Sequence, residues 1–349
     1  MSQPLSNPPY STLATVARCI ARSLEAEYGI APQPVLESVG MDIRLLQDDE
    51  QRLPLTDLSQ LWLRCVELTG EEHFGLRIAR YLAPADLYGI DLALYASASL
   101  GEAAQRFAQF LDLLTTATQG RIQRNADGDW VLSYQVRRAS EPTPAAKDFF
   151  IYSQIFMFER QSQLAARQFM RSLELTRPRP ADLAPWEALG VPTSFEHPFA
   201  SMVFRADAWE KPMLGANPHL LAQVEQPILS YLARLGAPLP LSALRARLVE
   251  SLSEPPTAEQ FAASLGITPE SLQNSLLQQH ASFTQLLDQT RQARTLQLLA
   301  MPELTLDQVC EQVGFSKSSS LIRAFRRWQG TTPLGYRKSL FSESENAPS

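Results

Sequence analysis

"TLDQVCEQVGFS", residues 305–316, decides how the C-terminal part of this chain folds. It begins with Thr-x-x-Gln, a capping box in which the threonine oxygen accepts a hydrogen bond from the third helical N–H and the glutamine reaches back to the cap. Gly314 then provides the positive φ that a tight turn needs. Phe315 and the hydroxyl of Ser316, which is the expected N-cap of another helix, follow. The segment therefore predicts a helix-turn-helix unit.

"TAEQFAASLGIT", residues 257–268, repeats this pattern 48 positions earlier, with a capping box, a glycine and a hydroxyl N-cap at matching places. One copy is weak evidence because glycine-ended helices are common, but two copies at a fixed offset favour a pair of units that contact DNA. Between them, residues 284–300 have the apolar periodicity of one helix, which at about 1.5 Å per residue spans about 25 Å. Such a spacer suits two helices held near one DNA turn apart, roughly 34 Å.

Positive charge is concentrated around the second unit. The chain of 349 residues has a net charge of −6, whereas residues 291–338 contain eight basic and three acidic residues, a net charge of +5. The overall charge excludes a protein that coats nucleic acid over its whole surface, so any site for a polyanion has to be local.

The last helix of the second unit separates apolar from basic side chains. Leu321, Ala324, Phe325 and Trp328 recur at helical spacing and are predicted to form a buried stripe. A solvated basic helix is the alternative interpretation of the other face. The residues of that face and of the first turn that are predicted to contact bases and phosphates are Lys317, Ser318, Ser319, Ser320, Arg323, Arg326 and Arg327.

The first part of the chain, residues 12–214, is predicted to be an α+β domain of helices and a small antiparallel sheet. The periodicity is mostly helical up to residue 118. "RIQRNADGDWVLSYQV", residues 121–136, then predicts a hairpin around Asp127-Gly128. The remaining predicted elements are a helix at about 145–168 and strands at 171–180 and 193–206.

Proline and glycine mark a boundary between this domain and the C-terminal segment. A helical pattern at 216–235 is broken by "GAPLPLS", residues 236–242. We therefore expect a linker helix and Pro-rich hinge at 215–240, followed at 241–341 by an all-α domain with two helix-turn-helix units joined by a linker helix. The polar ends, residues 1–11 and 342–349, are predicted to be disordered.

Aromatic side chains in the first domain are candidates for a ligand cavity. The run from Phe149 to Phe158 is interpreted either as the wall of such a cavity or, with more weight, as a core helix packed on the sheet, and both can hold together. Arg77 and Arg80 are candidates for holding an acidic ligand, with solvated side chains as the alternative. The candidate effector-binding residues are Tyr88, Trp130, Phe149 and Tyr152.

No residue pattern predicts catalysis, a metal or a cofactor. Neither GxSxG nor a phosphate-binding glycine loop occurs. The N-terminus lacks the basic and apolar regions of a signal peptide, and no apolar run approaches ~20 residues. We therefore expect a cytoplasmic, non-membrane protein that is not an enzyme, with no catalytic residues, no metal and no cofactor. The histidines and cysteines are isolated from one another, at His73, His197, His219, His280, Cys19, Cys65 and Cys310.

The sequence around the second unit resembles the signature of the AraC/XylS transcriptional regulators. "LDQVCEQVGFSKSSSLIRAFRRWQGTTPLGYR", residues 306–337, has the Gly-Phe-Ser turn, the Arg-Ala-Phe-Arg-Arg-Trp run and the following Gly, Thr-Pro and Tyr-Arg positions. "YGIDLALYASASLGEAAQRFAQF" (88–110) and "TSFEHPFASMVFRADAWEKPML" (193–214) more loosely resemble the arabinose-binding-domain subgroup of that family.

The resemblance implies a bacterial, cytoplasmic, sequence-specific transcription regulator that binds double-stranded DNA. It implies an effector-binding and dimerisation domain at 12–214, an unknown small-molecule effector, a homodimer, and a DNA-binding domain at 241–341 whose two recognition helices enter successive major-groove segments. Arg337, within the matched motif, is also expected to contact DNA.

The first unit departs from the family pattern, because "TPESLQNSLLQQH", residues 268–280, contains no arginine or lysine. Gln273 and Asn274 are predicted to contact adenine, whereas Glu270 would repel phosphate. A helix that only supports the fold is the alternative. Two other hypotheses follow: a regulator with a degenerate first unit that acts through a partner such as RNA polymerase, and an enzyme in the first domain.

Overall fold

A computed structural model of the chain describes residues 10–137 and 142–345, with side chains up to residue 340. The chain divides into two compact units between Tyr231 and Leu232, which are called here the N-terminal unit and the C-terminal unit. Among the described helices, none has the length and apolar character needed to cross a bilayer.

The N-terminal unit consists of helices and two sheets. Short 3-10 helices lie at Ile43–Gln47, Ala79–Tyr81 and Pro84–Leu87. Its α-helices are α1 (Thr15–Tyr28), α2 (Pro32–Ser38), α3 (Leu55–Thr69), α4 (Phe74–Ile78), α5 (Ile90–Tyr95), α6 (Leu100–Gln109), α7 (Leu111–Leu114), α8 (Pro144–Ser162), α9 (Ala166–Phe169), α10 (Ala184–Glu187) and α11 (Ala206–Trp209).

Two sheets are present in this unit. β1 (Ser11–Leu13) and β2 (Arg52–Pro54) form an antiparallel pair. The larger sheet has the order β3-β4-β7-β5-β6 and is antiparallel except for its β5–β6 edge, which is parallel. Its strands are β3 (Thr118–Arg124), β4 (Trp130–Val136), β5 (Met170–Glu174), β6 (Thr193–Ser194) and β7 (Ala200–Phe204).

The predicted hairpin is confirmed as β3 and β4. Arg124 lies opposite Trp130 at the end of the pair. In the loop between them, Gly128 has a φ of 83°, and the Asn125 side-chain oxygen accepts hydrogen bonds from the amides of Asp127 at 3.1 Å and Asp129 at 2.9 Å. The turn is thus closed by local bonds that any chain with this sequence can form.

Three predicted boundaries in this unit are wrong, each for a local reason. The helix predicted to residue 168 ends at Ser162, because Gln163 has a left-handed φ of 58°. β5 ends before Pro178, which lacks the amide hydrogen that a strand needs. The strand predicted at 193–206 is split into β6 and β7 around Glu196, which has a φ of 63°.

Aromatic rings and one glycine bring α3, α4 and α8 together. The ring of Trp62 lies 5.4 Å from that of Phe149 and 5.9 Å from that of Phe74, between centroids. A Cβ atom at Gly75 would lie 1.9 Å from the Ala145 carbonyl oxygen, so α4 approaches α8 this closely only because residue 75 is glycine. The approach fixes the wall of α8 that faces the interior.

The C-terminal unit is helical in its described part. The helices predicted at 216–235 and at 284–300 are present as α12, which crosses the division between the units, and α16. The helices are α12 (Pro218–Leu235), α13 (Leu241–Val249), α14 (Ala258–Ser264), α15 (Pro269–Gln278), α16 (Phe283–Leu299), α17 (Leu306–Gln312), α18 (Ser318–Gln329) and α19 (Pro333–Glu345).

The predicted disorder of the two polar ends is wrong where the structure describes them. Ser11 begins β1, and residues 342–345 belong to α19. Apart from Tyr10, the other residues of these ends lie outside the described part of the chain.

Candidate functional site

The second helix-turn-helix unit consists of α17, a tight turn and α18. Thr305 caps α17: its Oγ1 accepts from the Gln308 amide at 3.2 Å, and Gln308 Oε1 accepts from the Thr305 amide at 2.8 Å. After the helix, Gly314 has a φ of 70°, and the amide of Phe315 donates to the carbonyl of Cys310 at 3.0 Å. The predicted capping box and glycine turn are confirmed.

The start of α18 differs from the prediction that Ser316 caps it. Lys317 is the cap residue, with an extended backbone at φ −148° and ψ 137°, and α18 begins at Ser318. A lysine side chain has no acceptor atom, so it caps none of the first-turn amides. Ser318, predicted to contact DNA, donates its hydroxyl to the Asp307 carboxylate on α17. This bond ties the two helices of the unit together.

One face of α18 is buried in the core of this unit, as predicted. Leu321 and Phe325 are fully buried, and Ala324 is nearly so. Leu321 and Phe325 pack with residues of α16 and α17 in one apolar cluster. Trp328 is half-buried, with its ring centroid 6.4 Å from that of Phe325. The orientation of α18 is therefore fixed by large apolar groups.

The opposite face of α18 presents its basic side chains to solvent. Within the described part of the chain, neither Arg323 nor Arg326 has an ion pair or a hydrogen bond with its side chain. Guanidinium groups in this state can pair with guanine edges or phosphate oxygens without first breaking another contact. Of the predicted DNA-contact residues here, the exposed ones are Lys317, Ser319, Arg323, Arg326 and Arg327, and the half-buried ones are Ser318 and Ser320.

Arg327 is held by a carboxylate that the sequence analysis missed. Its Nη2 lies 2.7 Å from Oδ1 of Asp288 on α16, and Oδ2 of Asp288 accepts from the indole N–H of Trp328 at 3.0 Å. Asp288 is the only acidic residue of α16. This is the one feature of the sequence that could have indicated its role. The pair offsets part of the Arg327 charge and fixes the last turn of α18.

Two other arginines of the basic segment hold the backbone of this unit. Arg337 donates through Nε to the Leu299 carbonyl at 3.1 Å and through Nη1 to the Leu304 carbonyl at 2.6 Å. Its predicted contact with DNA is not tested by this placement and stays a prediction. Arg291 donates through Nε to the Val313 carbonyl at 3.1 Å and through Nη2 to the Gly314 carbonyl at 2.8 Å.

Arg291 also lies over an aromatic ring. Its guanidinium carbon is 4.7 Å from the ring centroid of Phe315, a distance at which the cation is attracted by the ring. Burial lowers the pKa of Arg291 from its ordinary value. The arginine on the spacer helix α16 is therefore a structural part of the turn between α17 and α18.

The first helix-turn-helix unit has the same local geometry without the charge. The Thr257–Gln260 capping box is present, Gly266 has a φ of 70°, and Thr268 Oγ1 accepts from the Ser271 amide at 3.2 Å. The predicted caps of this unit are confirmed. The structure describes every residue of its recognition helix α15, and none of them is a lysine or an arginine.

The candidate base contacts on α15 differ in exposure. Gln273 and Asn274 are exposed and lie on the same face as the first-turn Glu270. Ser275 is buried, and its Oγ accepts from the Leu239 amide at 2.6 Å. Base contact by Gln273 and Asn274 stays a prediction, in a helix whose formal charge is negative.

The N-terminal unit contains a partly enclosed cavity of about 170 Å³. Thr12, Phe107 and Tyr134 contribute to its wall, together with much of one side of α8. Among the described residues that line the cavity, Phe149 is the only one of the four candidate effector-binding residues. The other three are engaged elsewhere.

Tyr88, Trp130 and Tyr152 each pack against other groups. The Tyr88 hydroxyl donates to the Glu50 carboxylate at 2.6 Å. The Trp130 ring stacks on that of Trp209 at 4.7 Å, with the planes 14° apart. The ring of Tyr152 lies 6.1 Å from that of Trp186. The structure therefore does not gather the four candidates at one site, and their roles stay predictions.

Arg77 and Arg80, the candidates for an acidic ligand, already have protein partners. Arg77 Nη1 lies 3.2 Å from Glu27 Oε1 and also pairs with Glu71, and Arg80 pairs with Glu27. Hydrogen bonds from Tyr81 and Arg80 lower the pKa of Glu27 to about 2. These charges form a small network at the surface.

A buried ion pair in the cavity wall is a second feature that the sequence analysis missed. Asp148 of α8 and Arg177, which follows β5, are almost fully buried and pair with each other. Asp148 is one residue from the candidate Phe149, but the aromatic run around it gave no signal of a buried charge. The partner lies 29 positions away along the chain, so the pairing depends on tertiary structure alone.

Comparison with known proteins gives matches to both units. Residues 29–213 match a family model described as the arabinose-binding domain of AraC transcription regulators, and residues 261–339 match a helix-turn-helix domain model. The HTH-type transcriptional regulator VirS of Mycobacterium tuberculosis is 37% identical over 81 residues, which are 23% of this chain and 24% of VirS.

One relative and one solved structure match along most of the chain. The ornithine utilization regulator of Pseudomonas aeruginosa is 29% identical over 322 residues, covering 90% of this chain and 93% of that protein. The crystal structure of the transcriptional regulator CdpR from Pseudomonas aeruginosa has a TM-score of 0.52 and 19% sequence identity, covering 87% of this chain and 96% of its own, which shows a shared fold. The first family match alone spans more than half of the chain. The chain therefore belongs to the AraC family of DNA-binding transcription regulators, with an arabinose-binding-type N-terminal domain and a C-terminal helix-turn-helix domain.

Proposed function

We propose that this regulator recognises its operator mainly through α18 and that a small molecule bound in the N-terminal cavity controls this recognition. Recognition through α18 is supported by its exposed face with Arg323 and Arg326, which is held in place by the buried Phe325 on the opposite side. Lys317 and Ser319 extend the same face at the N-terminal end of the helix, where open amides favour phosphate. Gln273 and Asn274 of α15 add a weaker, uncharged contact.

The effector part of the proposal is supported by the partly enclosed cavity of the N-terminal unit. An effector changes DNA binding only by the difference between its affinities for the DNA-competent arrangement and the other one. We propose 12–214 as the effector-binding and dimerisation domain, 215–240 as linker and hinge, and 241–341 as the DNA-binding domain. A cytoplasmic homodimer, and RNA polymerase as a further partner, complete this proposal.

Arg323→Ala is expected to weaken operator binding by about 1–3 kcal/mol and to relax the base preference at one position of the site. The reason is that Arg323 is exposed and unpaired in the described part of the chain, so its guanidinium is available to a base edge. Gel-shift titrations with the operator and with single-base variants measure both effects. Arg64→Ala, which removes the same charge from the N-terminal unit, is the control. Unchanged affinity and unchanged preference would refute the assignment.

Arg326→Ala is expected to weaken binding to all DNA sequences alike and to lower the salt dependence of binding by about one released counterion. Arg327→Ala is expected to lower it less, because Asp288 already offsets part of the Arg327 charge at 2.7 Å. Binding constants measured across a range of salt concentrations give the two slopes. A larger change in slope for the Arg327 variant would contradict this difference.

A further inference from the structure

We propose that the N-terminal cavity binds an uncharged, mainly apolar molecule with one O–H or N–H group, and that this group donates a hydrogen bond to Oδ1 of Asp148. This is the cavity to which the effector was assigned above. The regulatory meaning of ligand binding here therefore rests on the proposed effector control.

The size and lining of the cavity select an apolar ligand of modest size. Its volume is about 170 Å³, close to that of an apolar protein cavity of roughly 150 Å³ that takes up benzene. Side chains without charge form most of its wall, among them Leu58, Trp62, Leu87, Phe107, Phe149 and Met157. A ligand with a ring or a short branched chain would bury its apolar surface against them.

Asp148 supplies one polar atom that has no partner. Asp148 is 1% exposed, and its Oδ2 accepts a hydrogen bond from Nη1 of Arg177. Its Oδ1 is buried and has no hydrogen bond with any described group. Asp148 contributes to the cavity wall, and because Oδ1 itself has almost no exposed surface, a small shift of its side chain has to accompany the binding of a ligand donor to this atom. A buried carboxylate oxygen without a donor is costly, so a ligand that brings a donor to this atom gains a bond that the protein alone leaves unmade.

The charges around Asp148 disfavour a charged ligand group at Oδ1, although Lys147 also lies in the cavity wall. Arg177 lies in the same wall, pairs with Asp148 and lies 3.4 Å from Glu72. An ammonium group at Oδ1 would therefore lie beside a guanidinium that already balances the carboxylate. A ligand carboxylate would face the unpaired oxygen and be repelled. An alcohol, phenol or amide N–H meets neither obstacle.

The ionisation of Asp148 gives the proposal a second readout. Burial raises the pKa of Asp148 to about 7, while Arg177 and Lys147 act to lower it and Glu72 to raise it. A ligand that donates to the carboxylate binds its ionised form better, so binding releases a proton where Asp148 is partly protonated. Affinity for such a ligand should therefore rise as the pH rises through 7 and level off above it.

The test uses benzyl alcohol and toluene, which differ by one hydroxyl group, titrated into the full chain at pH 6 and pH 8. Benzyl alcohol is expected to bind at least about tenfold more tightly than toluene at pH 8. Its own affinity is expected to rise by up to about tenfold from pH 6 to pH 8, with toluene unchanged. Failure of both probes to bind, or equal affinities at both pH values, would overturn the proposal.

Two variants test whether Asp148 causes the preference for the alcohol and the dependence on pH. Asp148→Asn should remove the dependence on pH and most of the preference for the alcohol. Asp91→Asn is the matched control, since Asp91 is also buried, pairs with Arg160 and lies outside the described wall of the cavity. The same loss in both variants would refute the assignment to Asp148. If Asp148→Asn does not fold, the comparison of the two probes in the natural chain still decides.

A further measurement distinguishes the proposed ligand class from the proposed effector control. Gel shifts with and without benzyl alcohol show whether cavity occupancy alters operator affinity. Preference for the alcohol with unaltered operator affinity would refute the control and leave the ligand class standing. Altered operator affinity with equal binding of both probes would refute the ligand class and leave the control standing.

Discussion

Gly314→Ala is expected to lower the free energy of unfolding of the C-terminal unit by about 2–5 kcal/mol and to abolish operator binding. Gly314 has a φ of 70°, where a residue with a Cβ atom costs about 1–2 kcal/mol. The added Cβ would also lie 2.1 Å from the Leu252 carbonyl oxygen and 2.6 Å from a ring carbon of Pro255. Relieving such contacts costs about 1–3 kcal/mol or more, since backbone has to move.

Gly330→Ala is the control for this variant. Gly330 ends α18 with a φ of 71°, but a Cβ atom there would meet nothing within 4 Å. Its expected cost is therefore the conformational part alone, about 1–2 kcal/mol. Urea unfolding of both variants measures the difference. Equal losses would show that the close approach of Leu252 and Pro255 to the turn has no energetic role.

Arg291→Ala is expected to destabilise the C-terminal unit by about 2–4 kcal/mol, because it leaves two turn carbonyls without their charged donor. The two bonds, to Val313 at 3.1 Å and Gly314 at 2.8 Å, and the contact with the Phe315 ring are all lost. Operator affinity should fall as well, although Arg291 itself is directed at protein carbonyls. Urea unfolding and gel shifts of the same preparation measure the two effects.

Arg294→Ala is the matched control on the same helix. Arg294 donates to the Gln297 side chain at 3.2 Å, three positions along α16. A bond of this kind between neighbouring helix positions contributes within about 0.5 kcal/mol. A loss of stability as large as that for Arg291→Ala would refute the structural role assigned to Arg291.

The sequence predicted the parts of the fold that depend on neighbouring residues. The Thr305–Gln308 box, the turn at Gly314 and the buried side of Phe325 all arise within one or two helical turns, and each is confirmed. Ser316 shows the limit even here, because the turn continues one residue further than the hydroxyl pattern indicates and Lys317 takes the cap position.

Contacts between distant positions of the chain were beyond the sequence analysis. Arg291 and Arg337 add to the formal positive charge of the basic segment, yet both hold carbonyl oxygens. The pairing of Asp288 with Arg327 spans 39 positions. A sequence shows the type of each side chain, whereas its partner is set by how helices pack.

The absence of any cation on α15 is expected to affect the order in which α15 and α18 reach the DNA duplex. Electrostatic attraction acts at longer range than hydrogen bonding and guides a protein during its diffusional approach. Under the proposed DNA contact by α18, the field that guides the approach is expected to come mainly from the exposed Lys317, Arg323 and Arg326. The encounter complex is therefore expected to form through α18 first, with α15 docking only after the axis of the duplex has been aligned, so that mutations on α15 alter the lifetime of the complex more than the rate at which it forms.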